Sequence, residues 1–466
     1  MEPQTNSSTE FLGLFRRILQ SIFPYPFIPQ TDQERKRFLI KNLILHFRPP
    51  TVSEKTLRFT LTWGLGGMAA LLVLLQMGTG LMLKFVYEPI PMAAYTSVQI
   101  MQQDVAFGQL IRNMHHWCAN LLVLIAFLHM LRVFFTGAFY PPRQFNWIIG
   151  LGLLSLVLFA NFTGYLLPYD QLAYWAVTVS TGMLEYIPGI GIHLQELVRG
   201  GSEIGAVTLR IFFAIHTAIV PGALILLMAF HFWRIRRAGG LVLPRAPERE
   251  IEEKPDRVPS LPNLLVREIV VALVLIACVL MMSIFFNAPL GDPVNPGLSP
   301  NPTKAPWYFM GFQEILLHFH PLTALCLIPA LMIIGLICIP YIHYPTGTAG
   351  VWFASSKGRR MACVAAVAAF IVTPIGIIVD EYVINFAAWM PELSPAIRNG
   401  LVPIVIVLSG FYGFYLLLKR RYSAIRNEAI QVIFVFFVTA FIILTLTGIW
   451  FRGSGMALCR PWGGAG

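Results

Sequence analysis

Residues 112–139, RNMHHWCANLLVLIAFLHMLRVFFTGAF, decide how this chain is read. The stretch is apolar enough to lie in a bilayer, yet it carries His115 and His129, fourteen positions apart. A second stretch at 209–232, LRIFFAIHTAIVPGALILLMAFHF, repeats the arrangement with His216 and His231, fifteen apart. At about 100° per residue, fourteen steps leave a rotation of about 40° and fifteen about 60°, so each pair shares a helix face over a rise of about 21–22 Å. Ionisable groups inside a span are costly and mark function. If both helices run in the same direction, His115 lies level with His216, and His129 with His231. Two bis-imidazole sites stacked across the membrane are thereby predicted. Imidazole suits iron, and a bis-imidazole pair suits an electron-transfer haem. The ordinary alternative, a packed and hydrogen-bonded core histidine, explains one such residue better than it explains two matched pairs. His116, about 100° round the helix from His115, is read as structural.

The rest of the chain supports a membrane setting. Of 466 residues, 56% are hydrophobic and 12% charged, against about 45–50% and 25% in soluble proteins. An all-soluble fold is excluded. The six cysteines form no C-x-x-C and no C-x-x-C-H, which argues against a thiolate metal site, a covalent c-type haem and a disulfide scaffold. Runs of roughly 20 apolar residues predict nine spans, at about 61–83, 114–135, 146–166, 211–233, 267–287, 322–342, 361–379, 400–418 and 429–451. The fold class expected is all-α integral membrane. Before the first span, FLGLFRRILQSIF (11–23) reads as an interfacial amphipathic helix and not as a cleaved signal peptide, because Arg16 and Arg17 interrupt its apolar run.

Charge orients the spans. With the N-terminus cytoplasmic, 26 of the 34 Lys and Arg fall inside, and the sides carry net charges of +14 and −3. The positive-inside rule then places the C-terminus outside. The overall +11 needs no nucleic-acid partner. Domains are drawn at 1–59 (tail), 60–240 (four-helix haem domain), 241–266 (charged, Pro-rich linker), 267–385 (three-helix domain) and 386–466 (two further spans and an external tail).

Glycines repeat the histidine period. Gly66 and Gly80 in the first span, and Gly150 and Gly164 in the third, are again fourteen apart. Lacking a side chain, a helix glycine lets a flat ligand reach the backbone; ordinary small-residue packing explains either pair alone better than both. Arg112 and Arg132 each lie three residues from a histidine, placed to pair with a haem propionate. Arg132 is equally well read as a positive-inside anchor.

Together with GYLLPYDQLAYWAV (164–177) and NPTKAPWYFMGFQEIL (301–316), these stretches resemble the dihaem cytochrome b of quinol-oxidising cytochrome bc and bf complexes. The resemblance runs from about residue 60 to 380, and the fifteen-residue step and LPYDQ run are more similar to the bf-type branch. It implies two non-covalent b haems: His115 with His216 near the outside, His129 with His231 near the inside. It implies quinol oxidation at an outer site that includes Tyr165, Pro306, Trp307 and Tyr308, quinone reduction inside near Arg236, and proton translocation. The implied partners are a Rieske iron–sulfur protein, a c-type cytochrome, a membrane quinone and a second copy of the complex.

Three departures stand out. The family's Pro-Glu-Trp-Tyr motif reads Ala305-Pro306-Trp307-Tyr308 here, so its carboxylate is missing; the loss resembles variants that work with menaquinone. Glu314, seven residues beyond Trp307, is the expected substitute proton acceptor, with Asp170 as runner-up; the plainer reading pairs Glu314 only with loop backbone, His318 or His320. Gly64 stands where the bf branch has a haem-attaching cysteine, so no covalent haem is expected. The last span is extra and puts residues 452–466 outside, where they are expected to touch a partner. Two competing readings remain at this stage: a haem-b quinone-linked anchor of another oxidoreductase, and a proton-coupled transporter.

Overall fold

A computed structural model describes residues 29–41, 49–243, 257–344 and 349–460. The interfacial helix expected at 11–23 and residues 244–256 of the 241–266 linker lie outside the described residues. Among them, nine helices are long and apolar enough to cross a membrane. In chain order with the shorter helices between them, they are α1 (Leu65–Lys84), α2 (Pro91–Gln103), α3 (Gly108–Phe135), α4 (Gln144–Tyr165), α5 (Gln171–Gly182) and α6 (Gly191–Arg199). There follow α7 (Ala206–Arg237), α8 (Ser260–Phe285), α9 (Trp307–His318), α10 (Thr323–Tyr341), α11 (Ser356–Tyr382), α12 (Ile397–Tyr422) and α13 (Arg426–Trp450). All nine expected spans are present, with ends shifted by a few residues. The only described strands, Thr51–Ser53 and Arg257–Pro259, pair antiparallel and tie the N-terminal segment to the start of α8.

The nine long helices leave large apolar side chains outward, such as Leu226 and Phe370, 73% and 63% exposed. In water such a surface would be an association site; on a membrane helix it is the lipid face.

Three long helices contain a π-turn, at Ile215–Ile219, Thr323–Leu327 and Ile397–Leu401. Each is followed two residues later by a proline: Pro221, Pro329 and Pro403. Proline has no N–H to give and its ring crowds the preceding turn; the wider turn accommodates it. The first of these changes the histidine register. A π-turn adds one residue to a turn, so the fifteen-residue step from His216 to His231 advances like a regular fourteen-residue one. The expected 60° offset is therefore reduced towards that of His115 and His129.

α1, α3, α4 and α7 share an apolar core that includes Leu72, Leu122, Val157 and Leu224. α8 joins it through Leu275 and Val279, so the fifth span packs on the first four. At the end where His129 and His231 lie, an aromatic cluster of Phe134, Phe139, Trp147 and Phe434 attaches α13 to the same bundle. Asn427 and Gln431 of α13 reinforce it with hydrogen bonds to Tyr140 Oη and to the Phe134 carbonyl. At its other end α13 lies against α9: a Cβ on Gly311 would sit 2.7 Å from Phe441, and one on Gly448 would sit 2.4 Å from Met310. The last span, which looked additional, is thus built into the body of the protein.

Candidate functional site

Helix periodicity delivers four histidines to two levels of the α1–α3–α4–α7 bundle. His115 and His216 face each other with ring centres 6.2 Å apart and planes at 74°. His129 and His231, at the other level, are close enough to interact electrostatically.

Each of the four glycines backs one of these rings. A Cβ built on Gly80 would stand 3.1 Å from His115 Cε1, and one on Gly164 would stand 2.5 Å from His216 Cε1. At the second level the corresponding distances are 3.2 Å for Gly66 and His129, and 3.6 Å for Gly150 and His231. The glycines make room for the imidazoles themselves, one glycine per ring.

The first pair is oriented from behind. Thr79 Oγ1 donates to the Leu75 carbonyl at 2.7 Å, so its oxygen accepts from His115 Nδ1–H at 3.0 Å. His216 Nδ1–H donates to the Ala160 carbonyl at 3.0 Å, with Thr163 Oγ1 at 3.3 Å. Among the described residues neither Nε2 takes a hydrogen bond. This is the tautomer a metal-binding imidazole needs: the rear N–H is fixed and the other nitrogen keeps its lone pair. An imidazole nitrogen sits about 2 Å from a metal, which puts two rings across one ion about 6 Å apart, as found. No group of three or more His, Cys, Asp or Glu able to hold a metal occurs among the described residues. Two-imidazole sites therefore suit a metal whose remaining ligands come with it, as in haem, and the donor set fits that group. The two threonines escaped the sequence reading, although Thr79-Gly80 and Thr163-Gly164 repeat the same dipeptide at this level.

The arginines divide. Arg112 is 8% exposed and donates from Nη1 and Nη2 to the carbonyls of Ala288 and Pro289, at 2.8 and 2.6 Å. It clamps the segment after α8. Arg132 donates from Nε to the Leu61 carbonyl at 2.9 Å, while its buried Nη2 has no partner among the described residues. It borders an apolar cavity of 790 Å³ with Trp63, Met68, Leu128 and Trp352. An unmatched buried donor there suits an anionic group. Arg236 lies in the last turn of α7, about 140° round from His231. His116 packs edge-on against Trp117 and pairs with Asn120.

At the His115–His216 end, the segments after α4 and α8 are joined. Asp170 caps α5, accepting from Ala173 N at 2.9 Å, and accepts from Gly291 N at 2.8 Å with its other oxygen. Tyr165 and Tyr308 interact, and Trp307 Nε1 donates to Asn120 Oδ1 at 2.6 Å. Pro306 occupies the N-cap of α9 and brings no polar side chain.

Glu314 is fully buried, where α9 meets α11 and α13. Its Oε1 accepts from Arg452 Nη2 at 2.6 Å and Nε at 3.0 Å, and pairs with His318 Nε2 at 3.3 Å. His318 Nδ1 pairs with Asp380 at 2.7 Å, and Arg452 Nη1 donates to Glu381 at 2.6 Å. Burial pushes the Glu314 carboxyl up, but the hydrogen bonds and charges of His318 and Arg452 outweigh it and hold the group below the usual carboxylate range. Burial also opposes charge on His318, yet Asp380 and Glu314 raise it to about 9. Glu314 is therefore an ionised member of a charge cluster. Sequence reasoning anticipated His318 as a partner and missed Asp380 and Arg452. Arg452 turns inward, so this part of the C-terminal segment, expected to touch a partner, packs on its own chain.

Comparison with known proteins agrees with this architecture. A sequence model of the family described as cytochrome b/b6/petB matches residues 52–239. Cytochrome b6 of Heliomicrobium gestii is 45% identical over 175 residues, 38% of this chain and 82% of that protein. Cytochrome b6 of Synechococcus sp. (strain CC9902) is 42% identical over 175 residues, 38% of this chain and 80% of that protein. A solved structure titled hyperthermophilic respiratory Complex III superposes with a TM-score of 0.62 at 22% identity, covering 88% of this chain and 96% of that one. At that identity the likeness shows the fold alone.

Proposed function

The chain belongs to the cytochrome b/b6 family of integral membrane subunits of bc-type oxidoreductase complexes, and from that premise we propose that it oxidises quinol at one membrane face and returns electrons to quinone at the other. The observation that carries the reading is the His115–His216 pair, 6.2 Å apart, with both rear N–H groups fixed and a glycine behind each ring. Two b-type haems, non-covalently bound, would supply one-electron carriage between the faces. His115 and His216 would hold one and His129 and His231 the other, with Arg132 offering its unmatched Nη2 to a propionate.

The residues around the first pair account for the quinol chemistry. Tyr165, Trp307 and Tyr308 form an aromatic wall beside α3 and α4, and Asp170 and Arg112 hold the two segments that close over it. Glu314, already ionised, takes a proton from a quinol hydroxyl, and His318 links it to Asp380, whose side chain is 32% exposed. The positive-inside count supports the His115–His216 end as the outer one, so these protons leave outside. A Rieske protein and a c-type cytochrome take the other electron, Arg236 borders the inner quinone site, and the complex is dimeric. This orientation, in a bacterial inner membrane, couples electron flow to proton translocation.

The test is the haem content of the purified protein. Two non-covalent b haems per chain are expected, and one in a His216→Leu variant. A chain without haem overturns the reading in favour of a transporter; haem without a co-purifying Rieske protein reduces it to a quinone-linked anchor.

A further inference from the structure

The segment that follows the last span folds back onto the loop that leads into α9. Arg452 pairs with Leu458 in a short bridge, Gly455 N donates to Asn301 Oδ1 at 2.6 Å, and Lys304 Nζ donates to the Ile449 carbonyl at 2.9 Å. The turn is closed at its base by Gly453 N donating to the Ala457 carbonyl at 3.0 Å and Cys459 N to the Phe451 carbonyl at 2.9 Å. Its purpose is visible at its first residue. The Arg452 side chain is 2% exposed and reaches the Glu314 carboxylate, 0% exposed, with two of its nitrogens.

We propose that Arg452 is a positioning residue of the quinol-oxidising site, fixing the Glu314 carboxylate so that Oε2 is the atom that accepts the quinol proton. The proposal rests on the function proposed above and adds a role for the last span. Three donors converge on Oε1: Arg452 Nη2, Arg452 Nε and His318 Nε2. Oε2 has a single contact, Arg452 Nε at 3.1 Å. A carboxylate oxygen has two lone pairs, so Oε1 is saturated and Oε2 keeps acceptor capacity. In the transfer the quinol O–H bond breaks, its electron pair stays on the quinol oxygen, and the proton forms a bond to Oε2. Glu381 holds Arg452 Nη1 from the far side at 2.6 Å and Met456 O accepts from the same nitrogen at 2.9 Å, which prevents the guanidinium from turning away. The charged groups facing Glu314 are then His318 of its own helix and Arg452 of the C-terminal segment, with Asp380 and Glu381 of α11 one contact further out.

The experiment uses the intact complex, with menadiol and duroquinol as donors, and follows quinol oxidation as a function of pH. A proton acceptor must be ionised, so the rate falls as pH drops through the Glu314 pKa. An opposite charge in contact lowers a carboxyl by about 1–3 units. Arg452→Gln should therefore move the acid limb up by about one pH unit or more, with kcat falling and KM little changed; Arg452→Lys keeps the charge and should leave the limb near its wild-type position. A wild-type acid limb in Arg452→Gln, beside the loss of that limb in Glu314→Gln, overturns the role of Arg452 alone. A wild-type profile in Glu314→Gln overturns the proton step itself. If Arg452→Gln does not assemble, Arg452→Lys decides. One ammonium cannot reproduce the fork between Glu314 and Glu381, so an unchanged kcat in that variant overturns the proposal and a fall of about tenfold supports it.

Discussion

Gly164 and His216 are in closer contact than any side chain at position 164 would allow. A Cβ there would lie 2.5 Å from Cε1 and 3.0 Å from Nδ1 of an imidazole that the Ala160 carbonyl already holds in place. The glycine is required because the His216 imidazole is pressed against the neighbouring helix.

The four glycines should not be equivalent. Gly164→Ala is expected to displace His216 and lose one of two haems, whereas Gly150→Ala, whose Cβ would meet His231 at an ordinary 3.6 Å, should keep both. A pyridine haemochrome assay on the two purified variants measures this directly. Equal haem content in both would show that the bundle relaxes around position 164.

The threonines behind the first pair should differ in the same assay. Thr79→Val removes the hydroxyl that accepts from His115 Nδ1–H, while Thr163→Val leaves His216 its bond to Ala160. Loss of such an outer partner typically weakens metal binding 10–100-fold. Haem release during detergent dilution should be faster in Thr79→Val than in Thr163→Val, and the His129–His231 level should be unaffected in both.

His318 makes the stability of the protein fall on the alkaline side. Its folded-state value is raised from 6.5 to about 9, so its contribution is complete below about pH 6.5 and is lost as pH rises through 9. The amount is about 3 kcal/mol. Thermal unfolding followed from pH 6 to 10 should show the decline, and His318→Asn should flatten it. The lowered Glu314 acts in the opposite direction: its contribution is present above the unfolded carboxylate value and is lost as acid titrates the folded group.

Asp170 should matter to the joint between the segments after α4 and α8 more than to the helix it caps. Loss of the cap costs about 1 kcal/mol, and the part-buried Gly291 N–H loses its acceptor as well. Limited proteolysis should cut the 288–304 segment faster in Asp170→Ala than in wild type. Asp170→Asn, which keeps one acceptor, should be intermediate.

Much of this was legible along the chain because the signals are local and periodic. Hydropathy alone located all nine spans, since a lipid-facing helix must be apolar over its full length whatever it packs against. The fourteen-residue steps of histidine and glycine put both residue types at two depths, because a straight helix converts spacing into depth without reference to neighbours; that the glycines back the imidazoles themselves, where a flat ligand was expected, came from the structure. Less accessible was the fifteen-residue step, whose regular reading left a 60° offset. The π-turn at Ile215–Ile219 that reduces it follows from the proline beside it, a conflict between backbone groups that composition does not display.

What the sequence determined by itself was the membrane class, the number of spans and the two histidine levels. The tertiary structure decided which charges meet. Arg112 has the spacing of a ligand-binding arginine, yet it closes on carbonyls 176 and 177 residues away. Arg452 looked external, yet it lies buried on Glu314, 138 residues earlier. Charge pairing between distant segments carries no period, and in a low-dielectric interior a buried ion takes whichever partner the packing brings within reach.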